Sequence, residues 1–205
     1  MALNSLSRRD VLKSLTMGVM AGSVLRVIPA EAADYAHSMV QAEKAANPAG
    51  AYKPKFFSAH EYKTLQALCQ AIVPPDGQTG GAIEAGAPEF IDLLTSENTD
   101  YQLKLRGGMM WLDGACSDRF GKAYLESAPA EQKQILDLIA YRKNESPDLS
   151  PGIRFFTWVR NMTVDAFYTS KAGMDDLGFM GNAVMAQFSV PAEAIAHAVK
   201  RSGLG

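Results

Sequence analysis

The chain is poor in the residues that most often carry chemistry. Among its 205 residues only two are cysteine and three histidine. Cys69 and Cys116 lack the spacing of a metal site or a c-type haem attachment. An oxidising compartment would let them pair, but both fall on apolar helical faces, where buried free thiols are the commoner outcome. His60 falls in the first turn of a capped helix and His197 in the terminal AEAIAHAVKR helix, places that suit surface or interface residues better than ligands. No G-x-S-x-G elbow and no HExxH pair is present, which excludes the serine and zinc hydrolases those motifs mark. Asp175-Asp176 lacks the alternating ligands and closing glutamate of a calcium loop and reads as a solvated turn. The Gly-rich stretch DGQTGGAIEAG, residues 76–86, has neither a GK[ST] ending nor a strand before it, so it reads as a connecting loop. No catalytic, cofactor-binding or metal-binding residue is therefore assigned.

Charge of one sign is also missing. Twenty Lys and Arg face 22 Asp and Glu, for a formal net charge of −2, which disfavours nucleic acid and anionic lipid as partners. No run is long enough to span a bilayer: the most apolar, SLTMGVMAGSVL from Ser14 to Leu25, is diluted by Gly, Ser and Thr and falls short of the roughly 20 residues needed. Strand signals are absent as well, because no segment alternates at period two and no internal repeat is visible. The expectation is an all-α fold, a single helical domain of about five to six helices.

What the chain does have is an address. Ser7-Arg8-Arg9-Asp10-Val11-Leu12-Lys13 fits the pattern S-R-R-x-hydrophobic-hydrophobic-K, with Val11 where Phe is more usual. The apolar run follows, and then Ala30-x-Ala32, small residues at the two positions a signal peptidase reads. Residues 1–32 are thus expected to be a twin-arginine signal peptide cleaved after Ala32, and the protein to reach the periplasm already folded. Cleavage removes Arg8, Arg9, Lys13 and Arg26 against Asp10 and Glu31, which takes the net charge to about −4.

Residues 33–55, Ala-rich and punctuated by Pro48, Gly50 and Pro54, suggest a frayed helix and an extended N-terminal arm with little core of its own. The helical domain then occupies residues 56–205. Ser58 and Glu61 spell a capping box, with Phe57 placed to staple onto Tyr62, and Leu65, Leu68, Cys69 and Ile72 continue one stripe to Pro74-Pro75. Pro88 opens a helix carrying Phe90, Ile91 and Leu94, and a longer one runs from about Asp100 to Arg119. Gly107-Gly108 inside it implies either the close approach of another backbone or a helix break. Pro129 starts PAEQKQILDLIAYRKN, with Arg142 and Lys143 at its end, and Pro151 starts an aromatic-rich helix with Phe155, Phe156, Val159, Met162 and Phe167, expected at the centre of the core.

Four stretches carry a family resemblance: FFSAHEYKTLQALCQAIVPPD, GGAIEAGAPEFIDLL, FGKAYLESAPAEQKQILDLIA and FFTWVRNMTVDAFYTSKAGMDDLGFMGN. Within them Ile72-Val73-Pro74 with Asp76, Ala85-Gly86-Ala87 ahead of Phe90, and Phe167-Tyr168 ahead of Gly173 are the most telling. Over residues 56–182 the chain resembles the gluconate 2-dehydrogenase subunit 3 family. The resemblance implies a non-catalytic small subunit whose partner, a flavoprotein of the glucose–methanol–choline oxidoreductase type, binds FAD and oxidises a sugar, sugar acid or glycoside, with a cytochrome c or a quinone as acceptor. Oxidation of the C3 hydroxyl of glucosides is a narrower form of the same reading.

It also implies an escort role, in which the partner docks on this chain in the cytoplasm and crosses the twin-arginine translocase on its signal. A docking subunit should carry exposed apolar surface, expected on the arm of residues 33–55, the loop of residues 76–86 and the Gly173–Asn182 segment. The alternatives are a stand-alone periplasmic binding module and an independent enzyme or cofactor carrier.

Overall fold

The computed structural model describes residues 30–47, 51–76, 80–179 and 190–202. Arg8, Arg9, Val11, Leu12 and Lys13, expected to form the export signal, lie outside them. Among the described residues there are eight α-helices and no strand: α1 Ala30–Ala46, α2 Ala59–Ile72, α3 Ala87–Ser96, α4 Thr99–Phe120, α5 Pro129–Ile139, α6 Ser150–Tyr168, α7 Lys171–Asp176 and α8 Ala192–Ser202. Six match the upper number expected of the helical domain; the other two are α1, drawn from the arm, and the short α7. Asp175 and Asp176 close α7 rather than forming an open turn.

Most helices begin where local chemistry dictates. At α2 the Ser58 hydroxyl accepts the Glu61 N–H at 3.3 Å, while the Glu61 carboxylate accepts the Ser58 N–H at 2.8 Å. At α3 Gly86 adopts φ 78, a left-handed conformation that glycine enters without a Cβ clash, and Pro88 follows in the first turn. Asn98 caps α4 by accepting from the N–H groups of Asp100 and Tyr101. Glu131 takes the Ala128 N–H at 2.7 Å at the head of α5; alanine has no side-chain oxygen to return the bond.

α5 is shorter than expected. It ends at Ile139, and Arg142 and Lys143 fall in a separate 3₁₀ turn, Arg142–Asn144, so Arg142 is not part of the helix face. The Asn144 amide explains the stop, since it donates to the carbonyls of Asp137 and Leu138 at 3.3 and 3.0 Å and satisfies groups that a further turn would have used.

α6 is the central element and packs on α2, α3, α4, α5 and α7. It buries Phe155, Phe156, Val159, Met162 and Phe167 as expected, and Ile153 besides, each burial stabilising by roughly 1.5–3 kcal/mol. Its contact with α4 is reciprocal. A β-carbon on Gly108 of α4 would overlap the Phe155 ring, and one on Gly152 of α6 would overlap the Trp111 indole. The Gly107-Gly108 pair is therefore neither a break nor a backbone contact: α4 runs on unbroken, and the close approach is that of an aromatic ring.

The N-terminal segment departs most from expectation. α1 lies against α3 and contributes Ala33, Ala36 and Val40 to the core. Alanine at these positions presents no side chain beyond Cβ, so α1 is a thin layer of the core rather than a frayed arm. Ala32 stands in its first turn.

Candidate functional site

Several ionisable side chains in the interior tie elements of the fold together. Asp92 of α3 is fully buried and accepts four hydrogen bonds: from the Tyr52 hydroxyl at 2.9 Å and from the backbone N–H groups of Lys55, Phe56 and Phe57 at 2.6, 3.1 and 3.0 Å. Four donors on one carboxylate offset its desolvation and hold the extended segment ahead of α2 against α3. Burial, and next the Asp92 charge, push the Tyr52 hydroxyl's pKa well above its ordinary value.

Other pairs tie elements together in the same way. Lys44 of α1 meets Glu89 of α3 at 2.8 Å. Glu61 meets Arg106 at 2.8 Å, and the guanidinium also lies over the Phe56 ring at 4.3 Å. Burial works against the Glu61 charge, but the bonds from Arg106 and Ser58 together outweigh it and hold the carboxyl below its usual range.

The two histidines discussed above part company. His60 meets Asp113 at 2.7 Å, and the other Asp113 oxygen accepts the Tyr124 N–H at 3.0 Å, so this pair links α2, α4 and the 3₁₀ turn Tyr124–Glu126. His197 lies exposed on α8. His37, which sequence reasoning passed over, is the one with an interior role. Its Nε2 lies 3.0 Å from the Thr169 hydroxyl and its ring 4.8 Å from that of Phe90, and burial lowers its pKa. Asp165, one turn before Thr169, has its carboxyl pushed up to about 6 by burial.

Cys69 and Cys116 are both buried free thiols. Burial pushes Cys69 up to about 12, against a 3.4 Å contact with the Thr163 hydroxyl, and Cys116 up to about 11. Thiols held so far above neutral pH are poor nucleophiles and poor ligands. Among the described residues no group of three or more His, Cys, Asp or Glu side chains could hold a metal ion.

What the molecule offers outward is apolar surface. Of the three segments expected to supply it, two turn inward. α1 buries Ala33, Ala36 and Val40, and the described part of the loop of residues 76–86 folds back on α2, with Ala82 buried and its N–H bonded to the Val73 carbonyl at 2.9 Å. The third keeps its apolar side chains exposed as far as it is described: Met174, Leu177 and Phe179. Ile195 and Val199 stand on the outer surface of α8, and Leu103 and Met110 on α4. No described helix is long and apolar enough to cross a membrane.

Most of the buried polar groups are engaged in holding the fold; the Oε2 oxygen of Glu89 is buried without a hydrogen-bond partner. A model of the family described as gluconate 2-dehydrogenase subunit 3 matches residues 59–186. Neither the curated proteins nor the solved structures yield a match.

Proposed function

The chain belongs to the gluconate 2-dehydrogenase subunit 3 family, and from that premise we propose that it is the non-catalytic small subunit of a periplasmic flavin-dependent dehydrogenase. The partner oxidises a hydroxyl of a sugar, sugar acid or glycoside to a carbonyl, C3 oxidation of glucosides being the narrower form, and passes the electrons to a cytochrome c or a quinone. FAD supplies the two-electron acceptor and belongs to the partner.

The observation that carries this reading is the division of labour in the molecule. The buried Asp92 and the partly buried Glu61 and Glu89 are bonded to neighbouring elements, while Leu103, Met110, Leu177 and Phe179 face outward. The twin-arginine residues Arg8 and Arg9 give the second half of the role, because a pair exported folded can be loaded with its cofactor beforehand and needs only one signal.

The test is a pull-down of the tagged full chain from its native cells, with an absorbance spectrum of what it retains, for wild type and Arg8→Lys/Arg9→Lys. A flavoprotein should accompany the wild-type chain in the periplasm and stay in the cytoplasm with the variant. A lone colourless chain overturns the escort role and leaves a stand-alone binding module.

A further inference from the structure

The outward side of α4 carries Leu103 and Met110, 77% and 70% exposed, the two most exposed large apolar side chains among the described residues. Between and beyond them on the same face stand Gly107 and Gly114, at spacings of four, three and four. Neither glycine is required by this chain's own packing. A β-carbon at either would meet nothing within 4 Å, and neither has a positive φ. Each nevertheless destabilises the helix by about 1 kcal/mol relative to alanine. Gly108 shows the contrast, since Phe155 requires it.

Beside Gly107 a groove of about 250 Å³ opens between α4 and α6, floored by Gly107, Gly108, Phe155 and Trp158. The ionisable groups at its lip are Lys104 and Arg154, both cationic, in a chain whose net charge is −2. Lys104 is paired with Asp100 and lies over Trp158, whereas the exposed Arg154 has no carboxylate partner among the described residues. A basic lip around an apolar floor is complementary to an apolar segment that carries an acid.

We propose that this face receives a helix of the flavoprotein subunit, whose apolar side chain enters the groove over Gly107 and whose carboxylate pairs with Arg154. The glycines let the partner helix approach the α4 backbone, and Leu103 and Met110 flank it. This rests on the small-subunit reading and locates its interface.

The test uses the tagged full chain, expressed in its native cells, as wild type, Gly107→Trp and Arg154→Glu. Flavin absorbance retained on the tag is measured together with the melting of each isolated chain. Each variant should retain at least tenfold less flavoprotein than wild type while melting as the wild type does. Gly107 has open space around it, and should its variant still fail to fold, Arg154→Glu, an exposed charge reversal, decides alone. Retention equal to wild type in the folded variants overturns the docking site and leaves the small-subunit reading standing. No flavoprotein with the wild-type chain overturns that reading, and this one with it. An isolated chain that is dimeric in wild type and monomeric in Gly107→Trp, with flavoprotein binding intact, assigns the face to self-association and overturns the proposal.

Discussion

The Phe155 ring stands where a β-carbon of Gly108 would have to be, and this one contact sets how closely α6 lies on α4. One turn away the relation is reversed, with the Trp111 indole over Gly152. Two glycines and two rings, each pair three residues apart on its helix, interlock the two longest elements of the domain.

Adjacent glycines of α4 should therefore respond oppositely to alanine. Gly108→Ala forces the Phe155 ring aside and should destabilise the isolated chain by about 1–3 kcal/mol. Gly107→Ala meets open space and should stabilise it by about 0.5–1 kcal/mol through helix propensity. Urea midpoints of the two variants measure this; shifts of the same sign would show that the interlock does not govern the α4–α6 distance.

Asp92→Ala removes the acceptor for three backbone N–H groups and the Tyr52 hydroxyl at once. Orphaning several buried donors should reduce stability by about 3 kcal/mol or more, with Asp92→Asn intermediate because it keeps one acceptor oxygen. Thermal melts at equal concentration compare them, and a Tyr52→Phe melt isolates the hydroxyl's share, about 1 kcal/mol.

Neither thiol should react in the folded chain. With Cys69 raised to about 12 and Cys116 to about 11 by burial, a thiol-specific disulfide reagent at mildly alkaline pH should label neither until denaturant is added, and then both. Rapid labelling of one thiol in the native chain would place that cysteine at the surface.

Two half-buried groups at the junction of α1 and α6 give pH dependences of opposite sign. His37 has a lowered folded pKa, so the unfolded chain binds more protons below about pH 6.5, and its stabilising contribution is lost as pH falls through that window. Asp165 is raised to about 6, so the folded chain binds more protons between about pH 4 and 6, and its contribution is lost as pH rises through 6. Asp165→Asn should thus raise the urea midpoint at neutral pH and leave it nearly unchanged near pH 4. A rise of equal size at both values would exclude titration of Asp165 as the cause.

Strong local signals made much of the fold legible. Ser58 with Glu61 marked the start of α2, Pro88 and Pro129 fell in the first turns of α3 and α5, and the aromatic spacing from Phe155 to Phe167 located the central helix. Where the signal depends on a distant partner, the reading failed. The core contribution of α1 rests on Ala33 and Ala36, which look alike in a frayed helix and in a tightly packed one. Asp92 interrupts the apolar run FIDLL, but its purpose depends on N–H groups some 35 residues earlier. α5 stops short because Asn144 folds back onto Asp137 and Leu138, a choice no helix pattern reveals. Exposed apolar side chains were expected between Gly173 and Asn182, and Met174, Leu177 and Phe179 are exposed there, whereas the exposed face of α4 depends on the open space around Gly107 and Gly114, which no sequence pattern reveals.

The Asp92 tie also orders events in time. Its two halves lie more than 30 residues apart, so the amides of Lys55, Phe56 and Phe57 find their acceptor only after α3 has formed and the intervening loop has closed. Opening them in the native protein likewise requires undoing a long-range contact rather than fraying a helix end. Their protons should exchange with solvent more slowly than those of a fraying helix end, which makes these three amides built-in reporters of whether the segment ahead of α2 is docked on α3.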